Sequence, residues 1–216
     1  MSAHPPAAPI RLYRSAISGH AHRVELMLSL LGLPFERIDL DLRRGDQKRE
    51  EFLALNPFGQ VPVIEDGEVV VADSLAILAY LVRRYAPASG WWPIDPPLQA
   101  ARVQRWLSLS AGPLLQGPGL ARVEALFERP RDPARAAVAA RLFGVMERAL
   151  QTSAFLCGDA PTVADVAMYT YTAHAPEGGL SLQPYPALCR WLQAIEALPG
   201  FVGMARHPEA SPLEAA

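Results

Sequence analysis

A small α/β domain with a four-stranded mixed sheet, followed by an all-helical bundle domain, is the fold class the sequence predicts. Three observations predict it. The first part of the chain alternates short β-type runs with amphipathic helical ones. Residues 86–97 carry four prolines, a glycine and Trp91-Trp92 with no periodicity, which reads as a linker. Beyond them only helical periodicity is found. The expected division is residues 10–85, a linker at 86–97, a helical domain at 98–205, and flexible tails at 1–9 and 206–216.

Ile10-Arg11-Leu12-Tyr13 alternates and is short, as a strand should be. After a loop at residues 14–19, Val24, Met27, Leu28 and Leu31 share one face of a helix over residues 20–31. Gly32 and Pro34 stop it. Residues 35–40 read as a second strand, and residues 47–55 as a short helix ending before Asn56-Pro57. Residues 61–64 and 69–71 read as a hairpin around Asp66-Gly67, where glycine supplies the positive φ that a tight turn needs. Leu75, Leu78, Ala79 and Val82 then face one way on a helix over residues 74–85, with Arg83-Arg84 favouring its C-terminal end. The order β-α-β-α-β-β-α is that of a thioredoxin-like domain, with a right-handed crossover between the first two strands.

In the second part, helices are expected over residues 98–115, 133–151, from Thr162 onward, and over 186–197, with Gly117-Pro118-Gly119 as a break. Thr162-Val163-Ala164-Asp165 has the spacing of a capping box, in which the threonine hydroxyl accepts a backbone N–H and the carboxylate reaches back. Thr162 and Asp165 are therefore read as a structural N-cap worth at least ~1 kcal/mol.

Composition narrows the function. Half the residues are hydrophobic and the net charge is −2, so a sizeable core forms and neither a nucleic-acid footprint nor a polybasic membrane patch is expected. No apolar run approaches the ~20 residues that span a bilayer, and residues 1–9 do not read as a secretory signal. Cys157 and Cys189 are far apart, in no metal-type spacing, and read as reduced thiols of a cytoplasmic protein. No metal is expected.

The stretch with the most chemical content is Gln60-Val61-Pro62 together with Asp73-Ser74. Pro62 at the start of a strand cannot donate to a sheet ladder. A cis bond before it would present the Val61 backbone to a ligand. Asp73 and Ser74 place a carboxylate, a hydroxyl and free N–H groups at the positive end of a helix. A free backbone edge beside a corner for an anion and an ammonium suits a small peptide carrying both charges.

This arrangement, and the order of elements along nearly the whole chain, resembles the glutathione S-transferase family. The resemblance implies glutathione as co-substrate. It implies that Val61, before Pro62, pairs with the cysteinyl backbone, that Asp73 meets the γ-glutamyl ammonium, and that Ser74 binds the γ-glutamyl carboxylate. Gln60, and with them Gln47 or Lys48, would meet the glycyl carboxylate. Ser18 precedes Val24 by six positions, as the catalytic serine does in the theta, delta and zeta classes, so Ser18 would hold the thiolate. Ser15 is its alternative and His20 a candidate for assistance. Ile17, Trp106 and Ser110 are candidates for the acceptor pocket, between Ser18 and the helical domain. A free thiol has a pKa near ~8.5, and lowering it by two units asks for ~2.7 kcal/mol, within reach of one charge-assisted hydrogen bond plus a helix dipole. The activity so implied is attack of the glutathione thiolate on a small, partly apolar electrophile. The alternatives are disulfide or peroxide reduction at the same site, a weaker zeta-type isomerase reading (Ser18-Gly19-His20 stands where that class has Ser-Ser-Cys), and a non-catalytic binding or scaffold module. A homodimer is implied, with Phe58 as an interface candidate.

Overall fold

The computed structural model describes residues 6–206; of the tails expected at residues 1–9 and 206–216, residues 1–5 and 207–216 lie outside the described residues. The chain divides into two compact units. One runs up to Trp92 and takes in Leu198–Met204; the other contains Pro93–Ala197.

The first unit is built on a sheet of order β2-β1-β3-β4, from β1 (Ile10–Arg14), β2 (Phe35–Asp39), β3 (Val63–Asp66) and β4 (Val69–Ala72). β1 pairs parallel with β2 (Ile10 with Phe35) and antiparallel with β3 (Leu12 with Ile64), and β3 pairs antiparallel with β4. The mixed sheet follows from one crossover and one hairpin. The crossover is helix α1 (Gly19–Leu30). Ile10 and Leu12 are fully buried while Arg11 is exposed, so alternation selects the covered face. Tyr13, on the opposite face, meets Phe52 of α2 (Glu50–Leu55) with ring centroids 5.9 Å apart. α3 (Ser74–Tyr85) packs beside α1 and buries Ile77, Leu78, Leu81 and Val82. Tyr80 and Tyr85 both donate to Asp66 Oδ2, Tyr80 at 2.6 Å, and so tie the hairpin to α3.

Several boundaries differ from expectation; the helix expected over residues 47–55 is a 3₁₀ turn (Asp46–Lys48) followed by the shorter α2. β3 begins at Val63 rather than Val61, because Pro62, after a cis peptide bond, has no N–H for a ladder. The hairpin turn centres on Gly67-Glu68, one residue on, with Gly67 at φ +60°. Leu198–Met204 packs back on α1: Ser29 Oγ donates to the Gly200 carbonyl at 2.6 Å and His22 Nε2 to that of Val202 at 2.9 Å. A Cβ on Gly200 would sit 2.8 Å from the Ser29 carbonyl oxygen, so this close approach requires glycine.

The second unit is helical: α4 (Pro97–Leu109), a π-helical stretch (Ser110–Gly119), α5 (Leu120–Leu126), α6 (Ala134–Leu150), α7 (Val163–Ala173) and α8 (Pro186–Glu196). Gly117-Pro118-Gly119 is not a break. Pro113 and Pro118 lack the N–H groups an α-helix needs there, and the backbone widens instead of stopping. Gly117 also lets α6 approach, since a Cβ would lie 2.9 Å from the Ala139 nitrogen. Among the described residues no helix is long and apolar enough to cross a membrane.

α7 starts with the capping box, complete in both directions. Asp165 does more than cap. Its Oδ2 accepts from Thr162 N (2.8 Å) and Thr162 Oγ1 (3.0 Å), and its Oδ1 from Leu156 N and Trp191 Nε1, both at 2.9 Å. One carboxylate, 1% exposed, joins α7, the loop before it and α8. Burial raises its pKa and the four donors oppose that rise. Asp165→Ala would strand four buried donors, so it should destabilise the protein by about 3–5 kcal/mol, well beyond an ordinary cap. Thermal denaturation of the full chain checks this; a loss below about 1 kcal/mol would show that the buried network is dispensable.

Candidate functional site

The site candidates of the first unit lie on four segments: the β1–α1 loop with the first turn of α1, the turn before α2, the loop between α2 and β3, and the start of α3. Ser18 is the N-cap of α1, with extended backbone and its Oγ accepting from Ala21 N at 3.2 Å. The hydroxyl is partly exposed, and the bond to Ala21 uses a lone pair, so the O–H proton stays available for an acceptor outside the helix. Ser15 is buried at 8% exposure at the end of β1, and its carbonyl accepts from Ser18 N at 2.9 Å. It shapes the loop that aims Ser18. Ile17 is partly buried in the same loop.

At the start of α3, Asp73 is the N-cap, with φ +74° and ψ +127°. A non-glycine residue there costs of order 1–3 kcal/mol. The surrounding hydrogen bonds hold it: Oδ1 accepts from Leu75 N (2.9 Å) and Ala76 N (3.0 Å). The residue is exposed, and the cap uses Oδ1 alone. Ser74, the next residue, is buried at 3% exposure and faces α1. Its Oγ accepts from Arg23 Nη1 at 3.0 Å and lies 3.3 Å from His20 Nδ1. Arg23 is fully buried and Nη1 is also 3.3 Å from His20 Nδ1.

The Val61–Pro62 peptide bond is cis. The loop ahead of it is organised by Asn56, which sequence reading took only as the end of a helix. Asn56 Oδ1 accepts from Phe58 N (3.2 Å), and its Nδ2 donates to the Gln60 carbonyl (2.8 Å). Gln60 is exposed, Val61 partly buried and Pro62 buried. Gln47 and Lys48 lie in a short 3₁₀ turn (Asp46–Lys48) beside this loop. Lys48 Nζ donates to the Phe58 carbonyl at 3.3 Å, and Gln47 Nε2 reaches the Leu42 carbonyl at 3.5 Å. Gln47 Oε1 is buried with no hydrogen-bond partner. Gly59 sits at φ +58°, where a Cβ would come 2.7 Å from the Gln47 carbonyl oxygen. The turn and the loop therefore meet backbone to backbone.

Two residues expected at the acceptor pocket are buried in the helical unit. Trp106 is 3% exposed, with Nε1 donating to the Leu156 carbonyl at 3.0 Å. Ser110 is fully buried, its hydroxyl donating to the Leu107 carbonyl at 2.8 Å. Both are core residues of the helical unit. The apolar periodicity that selected them marks the buried face of a helix, and a lining residue gives no separate signal. Thr162 and Asp165 stand in the buried cap described above. Arg23 was not singled out from the sequence; a lone arginine within an apolar helical run is the signal that would have found it.

The surroundings of His20 decide its protonation. Burial first, and then the neighbouring Arg23 guanidinium, push its imidazole down to about 3. The unfolded chain takes up the proton near 6.5, so this histidine's contribution to stability is present above about pH 6.5 and is lost as pH falls toward about 3. NMR of labelled histidine should therefore find the His20 ring neutral and unchanging from pH 5 to pH 8. A titration midpoint near 6.5 would show the ring to be solvated instead.

The comparisons with known proteins agree on a family. Residues 17–84 match the glutathione S-transferase N-terminal domain, and residues 128–199 the glutathione S-transferase C-terminal domain. Glutathione S-transferase 3 of Zea mays is 32% identical over 214 residues, covering 90% of this chain and 92% of its own. Glutathione S-transferase theta-3 of Mus musculus is 30% identical, covering 87% and 82%. The crystal structure of a glutathione S-transferase from Pseudomonas fluorescens is 30% identical, with a TM-score of 0.84 over 91% of this chain and 99% of its own.

Proposed function

The chain belongs to the glutathione S-transferase family, and on that premise we propose that Ser18 activates the thiol of bound glutathione for attack on a small, partly apolar electrophile. The observation that carries the reading is the Ser18 hydroxyl at the start of α1: a lone pair on Ala21 N, a proton to give, and partial exposure, where Ser15 is buried. A thiolate in front of it receives a charge-assisted hydrogen bond and the positive end of a helix. The protein lowers the thiol pKa and orients the nucleophile, and glutathione brings the reacting atom. The thiol proton leaves to solvent as the thiolate forms; the sulfur's electron pair then makes the new bond to the electrophilic atom, while the bond broken there gives its pair to a departing leaving group or, in an addition, the π pair shifts and takes up a proton.

The remaining assignments follow the charges of the tripeptide. Asp73 Oδ2 takes the γ-glutamyl ammonium while Oδ1 keeps its helix cap. Ser74 takes the γ-glutamyl carboxylate at the N-terminus of α3. The Val61 backbone pairs with the cysteinyl residue, and Gln60, with Gln47 and Lys48 behind it, faces the glycyl carboxylate. Lys48 Nζ and Gln47 Nε2, now on the Phe58 and Leu42 carbonyls, are the side-chain donors a carboxylate at this edge would need. Ile17 is the acceptor contact kept in the proposal. Cytoplasmic location and a two-fold homodimer belong to the same reading, with Phe58, 79% exposed, as an interface contact.

Ultraviolet difference spectroscopy of glutathione titrated into the protein at several pH values reads binding and thiolate together. Bound glutathione should show a thiol pKa about two units below ~8.5, and Ser18→Ala should raise it by one to two units and cut conjugation about 10–100-fold near neutral pH. An unchanged thiol pKa in Ser18→Ala would remove the serine from this role. Reduction of a disulfide or peroxide without conjugation would assign the site to that chemistry, and no glutathione binding would leave an interaction module.

Asp73→Asn keeps an oxygen for the cap but no charge for the ammonium. It should weaken glutathione binding about tenfold, ~1.4 kcal/mol, with little change in melting temperature. Calorimetric titration checks this; an unchanged Kd would release Asp73 to a purely structural role.

A further inference from the structure

Ser74 Oγ, Arg23 Nη1 and His20 Nδ1 form a closed triangle, with sides of 3.0 Å (Arg23 to Ser74) and 3.3 Å (Arg23 to His20, and Ser74 to His20). The chemistry of the three groups fixes which of them gives and which receives. A guanidinium nitrogen has hydrogens and no lone pair, so Ser74 Oγ and His20 Nδ1 both accept from Nη1. An accepting Nδ1 places the imidazole proton on Nε2. The one hydrogen of the triangle still to be placed is the Ser74 hydroxyl proton. It has two destinations: the Nδ1 lone pair inside the protein, or an oxygen arriving at the start of α3.

We propose that Arg23 is a positioning residue that makes the Ser74 hydroxyl a two-position donor, resting on His20 Nδ1 in the free protein and turning out to the ligand's carboxylate when that group arrives. Arg23 makes the turn inexpensive. When the hydroxyl leaves, Nη1 continues to satisfy Nδ1, so no buried acceptor is stranded. Throughout, Nη1 donates to Ser74 Oγ, and a hydroxyl that accepts from a cation is a stronger donor in its turn. Arg23 thus carries carboxylate recognition without touching the ligand. Ser74 is 3% exposed, and His20 Nδ1 is the side-chain acceptor within reach of its proton. The inference rests on the assignment of Ser74 to the γ-glutamyl carboxylate.

The test compares glutathione with 4-aminobutanoyl-cysteinylglycine, the same tripeptide without the γ-glutamyl α-carboxylate, by calorimetric titration. The wild-type protein should prefer glutathione by at least tenfold. Arg23→Met should bring that ratio close to one by weakening glutathione alone, Arg23→Lys should restore most of it, and His20→Phe should keep it, because the hydroxyl then loses only its inner acceptor. Equal weakening of both peptides in Arg23→Met would make Arg23 mere scaffold and overturn the proposal, as would a ratio that survives Arg23→Met or collapses in His20→Phe. A measurement on the wild-type protein stands independently of whether Arg23→Met folds. The His20 Nδ1 resonance in ¹⁵N NMR should shift on saturation with glutathione and stay in place with the analogue; no shift with glutathione bound overturns the proposal. Failure of the wild type to bind either peptide would instead remove the glutathione reading, and this proposal with it.

Discussion

The first N–H groups of a helix have no carbonyl partner within it, and a helix that starts inside a protein must find acceptors elsewhere. Much of this structure is organised by how that requirement is met. α1 uses the Ser18 hydroxyl, α3 the Asp73 carboxylate, and α7 the Thr162 hydroxyl together with Asp165. The three solutions differ in what they leave over. Asp165 spends both oxygens on four buried donors and has nothing left for a ligand. Ser18 retains a proton and Asp73 retains an oxygen, on residues that are partly or fully exposed. A cap that is fully spent and a cap with capacity to spare are thus the same device in different surroundings, and burial separates them.

The fold was legible because its signals are local and repeated. Glycine and proline marked most element ends, alternation marked β1, and 3.6-residue periodicity marked α1, α3, α6 and α8. The failures have physical causes. Pro62 shortened β3 because a ladder needs an N–H. Gly117-Pro118-Gly119 reads as a break, yet the backbone continues through it as a π-helical stretch, with Gly117 against Ala139. Tertiary contact of that kind leaves no trace in a local window.

Within the candidate site the same division holds. Ser18, Pro62, Asp73 and Ser74 could be named because each sits at a start or a turn, where residue type has a local meaning. Arg23 could not, since its importance lies in a contact 51 positions away with Ser74. Asn56 looked like a terminus and turned out to be the clamp of the loop that follows. Trp106 and Ser110 are buried, and an apolar helical face reports burial without a separate signal for a pocket.

The return of Leu198–Met204 to α1 bears on how the protein is made. The β-sheet unit is discontinuous in sequence, and the segment that meets Ser29 and His22 follows Trp92 only after the whole of Pro93–Ala197. At ~5–20 residues per second, a ribosome delivers it about 5–20 s after the rest of the unit. For that interval α1 stands with part of its surface uncovered, so the sheet unit matures on the ribosome in two instalments. A nascent chain stalled within the helical unit would display that uncovered face to the chaperones that survey unfinished proteins.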